Sequence, residues 1–466
     1  MLFNSIQFLI FFPLVTALYY ILPHKFRWVM LLAASCYFYM TFIPVYILIL
    51  IVTILIDYFA GIMIERTSDK KKRKLFLIIS IISTCLVLFV FKYYNFFTSN
   101  FNIIAQKIHW NYSIESLKII LPIGLSFHTF QSLSYVIEVY RGHQKAEKNF
   151  GIYSLYVMYY PQLVAGPIER PQNLLHQIHE KHIFNSKKVI DGLKLMLWGF
   201  FLKLVVADRA AIYVNAVYNN VPQHDGLTFL AATFLFAFQI YGDFAGYSFI
   251  AIGASRAMGI GLMQNFNRPY LSSSIQEFWK RWHISLSTWF RDYVYIPLGG
   301  NRVSKQRWLF NLFITFLISG LWHGANWTFI IWGSLHGMYL IIDILFKRKG
   351  KKTFFNIMIT FILVNFAWIF FRANTTSDAF TIVKDIFLKP GKLFIPANED
   401  VIVPVYSIIA IFILLIVEIK KEYFDTLFSF SRNKYETVRL LYYALLLFII
   451  LYIGVFDGGQ FIYFQF

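Results

Sequence analysis

Charged residues are scarce in this sequence. Asp, Glu, Lys and Arg make up 14% of its 466 residues, whereas soluble domains carry about 25%. Hydrophobic residues account for 58% and aromatic residues for 20% of the chain. A water-soluble core cannot absorb that much apolar surface. The composition therefore argues against a soluble globular protein and predicts an integral membrane protein.

Cysteine is rare in this sequence, and the short motifs of several enzyme classes do not occur. The two cysteines, Cys36 and Cys85, lie inside apolar runs without a C-x-x-C spacing, so we interpret them as packing residues. The sequence contains no H-E-x-x-H, G-x-G-x-x-G, Walker A or G-x-S-x-G pattern. Nothing therefore indicates a metal, dinucleotide or ATP site, or a hydrolase-type serine nucleophile.

Positive charge is in excess and is concentrated. The chain has 43 Lys and Arg against 24 Asp and Glu, a formal net charge of +19. Two basic clusters, residues 69–74 and 347–352, lie between long apolar runs. Because short basic loops of membrane proteins stay in the cytoplasm, we interpret the clusters as topology signals, with no nucleic-acid partner. Recruitment of an anionic cytosolic ligand is a second, compatible role.

Apolar runs long enough to cross a membrane recur along the chain. A spanning helix needs about 20 mostly apolar residues. The run at 4–22 has no basic segment before it and no cleavage pattern after it, so we expect a retained first helix. No linker or repeat divides the sequence, which predicts a single membrane domain over 1–466 with ten to twelve spanning helices. The other runs cover residues 28–56, 75–91, 119–137, 210–241, 353–371, 401–417 and 440–456.

Between about residues 150 and 335 the apolar runs are interrupted. The run at 151–168 contains Pro161 and an Ala-Gly-Pro triplet at 165–167, and we expect it to be broken and re-entrant. Gly320, Gly324, Asn326 and Gly333 interrupt the charge-free stretch 308–342, so one continuous helix is not expected. Irregular backbone at membrane depth is tolerated only where protein buries it or water reaches it. We therefore predict a cavity here and treat 150–335 as the catalytic core segment.

An aromatic and basic segment lies inside this core. Wound as one helix from residue 277, it places Phe278, Trp282, Trp289 and Tyr293 on one side, with its basic side chains opposite. This pattern is typical of an amphipathic helix at the membrane interface or capping a bundle. His283 falls between the two faces, where it could point toward an aqueous cavity.

Two further histidines lie in the charge-free stretch. His323, within Trp322-His323-Gly324, would be costly facing lipid, and intramembrane ionisable residues usually face the bundle interior at functional sites. The structural alternative is a neutral imidazole bonded to a backbone carbonyl between packed helices, which the flanking glycines would permit. His336 repeats the pattern more weakly, and for it we favour the structural interpretation.

Acyl transfer to a hydroxyl needs few groups. A base takes the hydroxyl proton during attack on a thioester, and neutral histidine suits this role near neutral pH. A second polar group orients the acceptor or stabilises the oxyanion. We therefore assign His323 as the candidate base and His283 as its helper, with direct transfer and no covalent enzyme intermediate.

Several of these segments resemble a known family. Residues 160–168, 239–247, 278–302 and 320–327, in this order, closely resemble bacterial membrane-bound O-acyltransferases (MBOAT), in particular the branch of the alginate O-acetyltransferase membrane subunits, and the resemblance extends to 461–466. It implies an all-α polytopic fold, with broken and re-entrant helices around a central tunnel. It also implies that the family's invariant histidine corresponds to His323 and a second one to His283.

The resemblance also implies substrates and partners. Acetyl-CoA would arrive from the cytoplasmic side of a bacterial inner membrane, without a tightly bound cofactor or metal, and an extracytoplasmic SGNH-like acyltransferase would complete the modification of an exported polysaccharide. Some matching polar residues could equally hold the tunnel wall together through buried pairs. The candidate substrate or tunnel-lining residues are Asp243, Trp282, Arg291, Asp292, Asn301, Trp322 and Asn326.

The chain end is unusually aromatic. Residues 461–466 contain four aromatic side chains and no charge, which favours an interfacial position or a groove on a partner. The candidate partner-docking residues are Phe461, Tyr463, Phe464 and Phe466.

Two other functional classes share some of these features. Secondary transporters also combine broken helices with intramembrane His and Asp, but they usually carry internal repeats, and none is visible in this sequence. A scaffold of a polysaccharide export complex would leave His323 without a reason to lie in the membrane interior. The sequence therefore favours the enzyme.

The basic clusters predict the orientation of the chain. Single cysteines placed within 70–74 or 347–352, in a background lacking Cys36 and Cys85, are expected to stay unlabelled by a membrane-impermeant thiol reagent added to intact cells. Permeabilised cells supply the positive control. Labelling of either cluster in intact cells would contradict this topology.

Overall fold

The chain folds into helices. The computed structural model describes residues 1–110, 112–119, 121–164, 166–346, 352–396, 402–424, 435–456 and 462. Within these ranges all regular secondary structure is helical and no strand occurs. The prediction of an all-α polytopic membrane protein is confirmed. The α-helices are α1 (Ile6–Ile21), α2 (His24–Met40), α3 (Ile47–Arg66), α4 (Lys70–Leu88), α5 (Tyr94–Lys107), α6 (Leu125–Arg141), α7 (Phe150–Met158), α8 (Tyr160–Leu163), α9 (Pro171–His179), α10 (Ser186–Phe200), α11 (Asp208–Tyr218), α12 (Gly226–Ala257), α13 (Ile275–Arg281), α14 (Ile284–Phe290), α15 (Lys305–His323), α16 (Trp327–Leu345), α17 (Phe354–Arg372), α18 (Thr376–Leu388), α19 (Ile402–Tyr423) and α20 (Glu436–Ile453).

Seven helical segments in the described ranges are long and apolar enough to cross a membrane. This is fewer than the ten to twelve expected, because several apolar runs form shorter or interrupted helices. For example, α1 has 16 residues and α6 has 17. The seven segments are Pro44–Arg66, Lys70–Lys107, Gly226–Ala257, Trp327–Leu345, Phe354–Arg372, Ile402–Tyr423 and Glu436–Ile453.

The chain divides into two compact units. Unit 1 comprises residues 1–195 and 251–263, and unit 2 comprises 196–250 and 264–466, so the boundaries fall within α10 and α12. The assignment of 1–466 to one membrane domain stays a prediction, as does the boundary of the core segment 150–335. Both candidate histidines belong to unit 2.

Unit 1 contains α1 to α9, and buried polar side chains pair between its helices. Asp57 on α3 is fully buried and accepts hydrogen bonds from two hydroxyls of α4, Ser80 at 2.6 Å and Thr84 at 3.1 Å. Where water is scarce, such side-chain bonds link neighbouring helices. The run at 151–168 is broken as expected, because α7 ends at Met158 and the four-residue α8 follows.

The central feature of unit 2 is the antiparallel pair α15 and α16. As predicted, the charge-free stretch is not one helix: α15 ends at His323, Gly324 is extended, and the Asn326 side chain caps α16 by accepting from the Thr328 amide. Gly320 and Gly333 lie where the two helices cross. A Cβ on Gly320 would lie 2.3 Å from the Phe329 carbonyl oxygen, so only glycine allows this approach.

The prediction that the aromatic and basic segment forms one amphipathic helix is wrong, because the segment contains two helices. Helix α13 ends at Arg281 and α14 begins at Ile284, because His283 adopts left-handed backbone angles, φ 41° and ψ 55°. The aromatic face is nevertheless buried, with Phe278 and Trp282 each 1% exposed. The apolar pattern was interpreted correctly, but the break at His283 leaves no local trace in the sequence.

The helix crossing predicts a stability difference between two glycines. Gly333→Ala is expected to destabilise the folded protein by about 1–3 kcal/mol, because the new Cβ would lie 2.4 Å from the Phe316 carbonyl oxygen and overpack the crossing. Gly337→Ala is the matched control, since its Cβ would come no closer than 3.2 Å, to a Phe313 ring carbon. Thermal unfolding of the two purified variants compares them. Equal melting temperatures would refute a tight crossing.

Candidate active site

His323 closes α15 at the turn into α16. It is 7% exposed and its ring lies 5.0 Å from Trp332 and 5.6 Å from Phe371, centroid to centroid. The helix runs from Lys305 to His323, so this histidine lies at the end opposite to the basic start of α15. His323 is therefore buried among aromatic rings, and its functional role stays a prediction.

His283 lies between α13 and α14 and is 2% exposed. Its Nδ1 is 3.0 Å from Asn265 Oδ1, and its ring packs edge-on against Phe244 at 4.5 Å. His283 lies outside the seven membrane-spanning segments. Burial lowers its pKa well below the usual value for histidine, and the charge of His323 lowers it further. The imidazole is therefore neutral near pH 7, and the two histidines are near enough to interact electrostatically.

A series of indole rings in contact connects the two histidines. Trp282, next to His283, lies 5.1 Å from Trp368, which lies 5.8 Å from Trp332, the ring that contacts His323. Trp282 was expected to line the tunnel, and the structure places it in this fully buried series. The aromatic wall keeps water away from both imidazoles and fixes their positions.

A cavity of about 940 Å³ leads toward His323 along α15. Its wall includes α15 residues from Trp308 to Ser319, which lies one turn before His323. That span corresponds to roughly 16 Å at the α-helical rise. Lys280, Arg291 and Asn301 also line it. Its volume falls within the range of about 300–1,000 Å³ typical of small-molecule sites.

The remaining candidate lining residues have separate positions. Two of the candidates, Arg291 and Asn301, line the cavity. Asp292 forms an ion pair with Arg291, with 2.7 Å between Arg291 Nε and Asp292 Oδ1. Asn326 caps α16 and donates to the Asn374 carbonyl at 3.3 Å. Trp322 precedes His323 on the last turn of α15 and is half-buried.

His336 takes a structural position, as favoured from the sequence. It is fully buried on α16, and its Nδ1 accepts a hydrogen bond from the Trp279 indole N–H at 3.2 Å. This Trp279 also lines the cavity, so His336 lies behind the cavity wall. The bond holds the wall in place.

Asp243 belongs to a buried ionic cluster that sequence reasoning missed. Lys203 Nζ lies 2.7 Å from Asp243 Oδ1 and 2.8 Å from Asp208 Oδ1, and the lysine side chain is fully buried. Lys203 lies in the π-helical segment Phe201–Ala207, between apolar neighbours. A single lysine inside an apolar run was the available signal. Buried charges of this kind require such pairing, because an unpaired one would be strongly destabilising.

Glu422, at the end of α19, was also missed. Its carboxylate accepts hydrogen bonds from the two terminal guanidinium nitrogens of Arg281, at 2.8 and 3.1 Å. It also forms ion pairs with Arg268 at 2.9 Å and Lys352 at 2.8 Å. Because Arg281 is two residues before His283, this carboxylate holds the start of the histidine turn. Glu422 is 141 positions from Arg281 in sequence, and no local pattern connects them.

One residue of the aromatic tail is described, Ile462, and it is 2% exposed. Its backbone N–H donates to Asp243 Oδ2 at 2.6 Å, so the chain end reaches the buried ionic cluster. The four docking candidates, Phe461, Tyr463, Phe464 and Phe466, lie outside the described residues. Their docking role stays a prediction.

Among the residues that the structure describes, no group of three or more His, Cys, Asp or Glu side chains is arranged to hold a metal ion. The polar side chains that line the cavity are hydroxyls, amides, the basic Lys280 and Arg291, and the carboxylate of Asp343, and His323 lies one turn beyond Ser319 of its wall. Such a set can take up a proton and bind an anionic donor.

Comparison with known proteins identifies a family. The family model described as MBOAT, membrane-bound O-acyltransferase family, matches residues 149–376. The chain is 38% identical over 393 residues to the "Probable alginate O-acetylase AlgI" of Pseudomonas aeruginosa, covering 83% of this chain and 75% of the relative. It is 35% identical over 386 residues to the peptidoglycan O-acetyltransferase of Helicobacter pylori, covering 76% and 72%. The teichoic acid D-alanyltransferase of Streptococcus thermophilus is 32% identical over 251 residues, covering 49% and 58%.

The tail yields a prediction about function. Deleting residues 461–466 is expected to reduce acetylation of the product while the protein still inserts and folds, because an aromatic end without charge suits a docking surface. Product acetylation in cells and melting temperature in detergent measure the two effects. Ile462→Pro, which removes the N–H donated to Asp243, separates loss of the anchor from loss of the aromatic rings. Normal acetylation by the deletion variant would exclude docking.

Proposed function

Because this chain belongs to the membrane-bound O-acyltransferase family, in the branch of the alginate O-acetylases, we propose that it moves acetyl groups from acetyl-CoA across the bacterial inner membrane toward an exported polysaccharide. An extracytoplasmic SGNH-like acyltransferase completes the modification in this proposal. The family and the apolar helices make the chain an O-acyltransferase enzyme that passes the membrane several times. The acetyl group and an alginate-like or cell-wall polymer as the acceptor are proposed from the names of its relatives.

The observation that carries the proposal is the position of the cavity relative to His323. The cavity runs along α15 from Trp308 to Ser319, which lies one turn before His323. Basic side chains form part of its wall. A long, thin thioester donor with phosphate groups matches this shape and charge. Lys280 and Arg291 provide the donors that phosphate groups prefer.

The two ends of the hairpin suit two different substrates. The N-terminus of α15 and the C-terminus of α16 lie at one end, near the basic residues predicted to be cytoplasmic, and His323 lies at the other. Beside the His323 turn, Arg372 donates to Asn374 Oδ1 at 3.2 Å and Asn326 donates to the Asn374 carbonyl. Amide and guanidinium groups favour a hydroxyl-bearing acceptor arriving from that side.

The reaction needs only groups present in the chain and the substrates. The His323 imidazole removes the proton of the acceptor hydroxyl as its oxygen attacks the thioester carbonyl carbon. The carbon–sulfur bond then breaks, and the leaving thiolate receives the proton from the imidazolium. His283 assists by orienting the acceptor, and the acetyl group passes directly without an enzyme-bound intermediate.

Three histidine variants test these roles. His323→Ala is expected to lower acetyl transfer per folded molecule by about 10²–10⁴-fold, because the base is lost. His283→Ala should give an intermediate loss. His336→Ala is the control, because its ring lies behind the cavity wall, and it should change activity little.

The measurement is acetyl transfer from radiolabelled acetyl-CoA by purified protein in lipid vesicles, normalised to the folded fraction. If His323 were structural, its removal would destabilise the fold by about 1–3 kcal/mol through an unsatisfied partner and leave the activity of folded molecules intact. That result would remove His323 from the mechanism.

A further inference from the structure

Asn265 lies in unit 2, ten residues before α13, and the 3₁₀ turn Pro269–Leu271 comes between them. It is fully buried, and its side-chain amide donates to Ser248 Oγ on α12 at 3.0 Å. Its backbone carbonyl accepts from the Ile284 amide at 2.8 Å, and the Asn267 amide donates to the Arg281 carbonyl at 2.9 Å. These backbone bonds connect the last residue of α13 and the first residue of α14 to the segment 265–267.

The break places His283 in a strained conformation. Its φ of 41° belongs to the left-handed region that residues with a side chain rarely adopt. Strain of this kind persists only where surrounding contacts hold it, and it is common at functional sites. Here the backbone bonds on both sides of His283 supply those contacts, and they direct its ring toward the Asn265 side chain.

The orientation of the Asn265 amide can be assigned from a neighbouring backbone group. The Ser285 N–H lies 3.3 Å from the same side-chain atom of Asn265 that faces His283. A backbone N–H can only donate, so that atom is the amide oxygen and not the nitrogen. The Ser285 hydroxyl also donates to it, at 2.8 Å. Rotating the amide by 180° would set a nitrogen against the Ser285 N–H.

This orientation determines which nitrogen of His283 carries the proton. An amide oxygen only accepts, and His283 Nδ1 lies 3.0 Å from it, so Nδ1 must carry a hydrogen. In the neutral ring the lone pair is then on Nε2. A neutral His283 thus has no second N–H to offer to an oxyanion.

We propose that Asn265 is a positioning residue that fixes His283 in the tautomer protonated at Nδ1, so that His283 acts on the substrate through Nε2 as an acceptor of a hydrogen bond or proton. This inference rests on the proposed function and makes the assisting role of His283 specific. It assigns to His283 the orientation of the acceptor hydroxyl and excludes it as the oxyanion donor. Asn265 itself acts only through the histidine.

Few of the groups around His283 can change the pKa of its imidazole. Phe244 from α12, Phe266 and the amide and hydroxyls around Nδ1 are uncharged. His323, at the end of α15, is the titratable side chain whose charge acts on it. A carboxylate in place of the Asn265 amide would favour the imidazolium and raise the pKa of His283. Protonation would then occupy the Nε2 lone pair.

The first test observes the tautomer without any assay of activity. Full-length protein with ¹⁵N-labelled histidine is reconstituted in lipid nanodiscs, and the His283 signals are assigned by their loss in His283→Gln. Nitrogen shifts and couplings at neutral pH are expected to show a protonated Nδ1 and an unprotonated Nε2. A protonated Nε2 would overturn the proposal, even if acetyl transfer is confirmed.

The second test is kinetic. Asn265→Leu removes the acceptor and should lower kcat by about tenfold or more, with KM for acetyl-CoA nearly unchanged, because a wrong tautomer impairs chemistry and not donor binding. Asn265→Asp should lose activity as the pH falls through the raised pKa of His283, over a range where the wild type is constant. Asn365→Leu and Asn365→Asp are the controls, since that amide donates to the Phe361 carbonyl on its own helix, α17.

The outcomes separate the two proposals. A pH profile of Asn265→Asp that coincides with that of the wild type, or an unchanged kcat in Asn265→Leu, would overturn the positioning role. If wild-type protein transfers no acetyl group from acetyl-CoA, the proposed function fails, and the nitrogen spectra still decide the tautomer.

Discussion

Polar groups in the interior of this apolar protein must find their partners within the protein. Water is scarce inside a bundle of this composition, and an unsatisfied buried donor or acceptor costs about 1–3 kcal/mol. Several buried groups in the described helices meet this constraint by pairing with side chains of other elements. Asp57 binds two hydroxyls of the next helix, Lys203 lies between two carboxylates, and Glu422 gathers three cationic side chains. The positions of the helices depend on these pairings.

The three buried histidines of unit 2 differ in their surroundings. His336 Nδ1 accepts a hydrogen bond from the indole N–H of Trp279, whose ring lines the cavity. His323 lies among aromatic rings at the end of a helix, one turn beyond the cavity wall. His283 is fixed on one side by Asn265, which leaves the chemistry of the ring to the other nitrogen. Burial keeps His283 neutral, and a neutral imidazole can accept a proton.

The close crossing of α15 and α16 connects fold and site. Gly320 and Gly333 let the two backbones approach, and the turn between the helices then places His323 at one end of unit 2 with the basic termini at the other. In the proposed mechanism, the cavity along α15 receives an anionic donor at the basic end of the hairpin and holds its reactive carbon near the imidazole. Donor recognition and chemistry then take place at different positions along one helix in this proposal.

Composition, run length and chain breakers determined much of this protein by themselves. They predicted an all-α membrane protein and the interruptions of the runs 151–168 and 308–342, because hydropathy and backbone preference act over a few residues. They also indicated His323 as a candidate functional residue, and that role stays a prediction. The left-handed turn at His283, its bond to Asn265 and the Lys203–Asp243 pair were decided by tertiary structure. Their partners are 18 and 40 positions apart, and each interaction depends on which helices pack together. A local pattern cannot encode that choice, because the energy of a buried polar pair arises only after folding has excluded water from both partners.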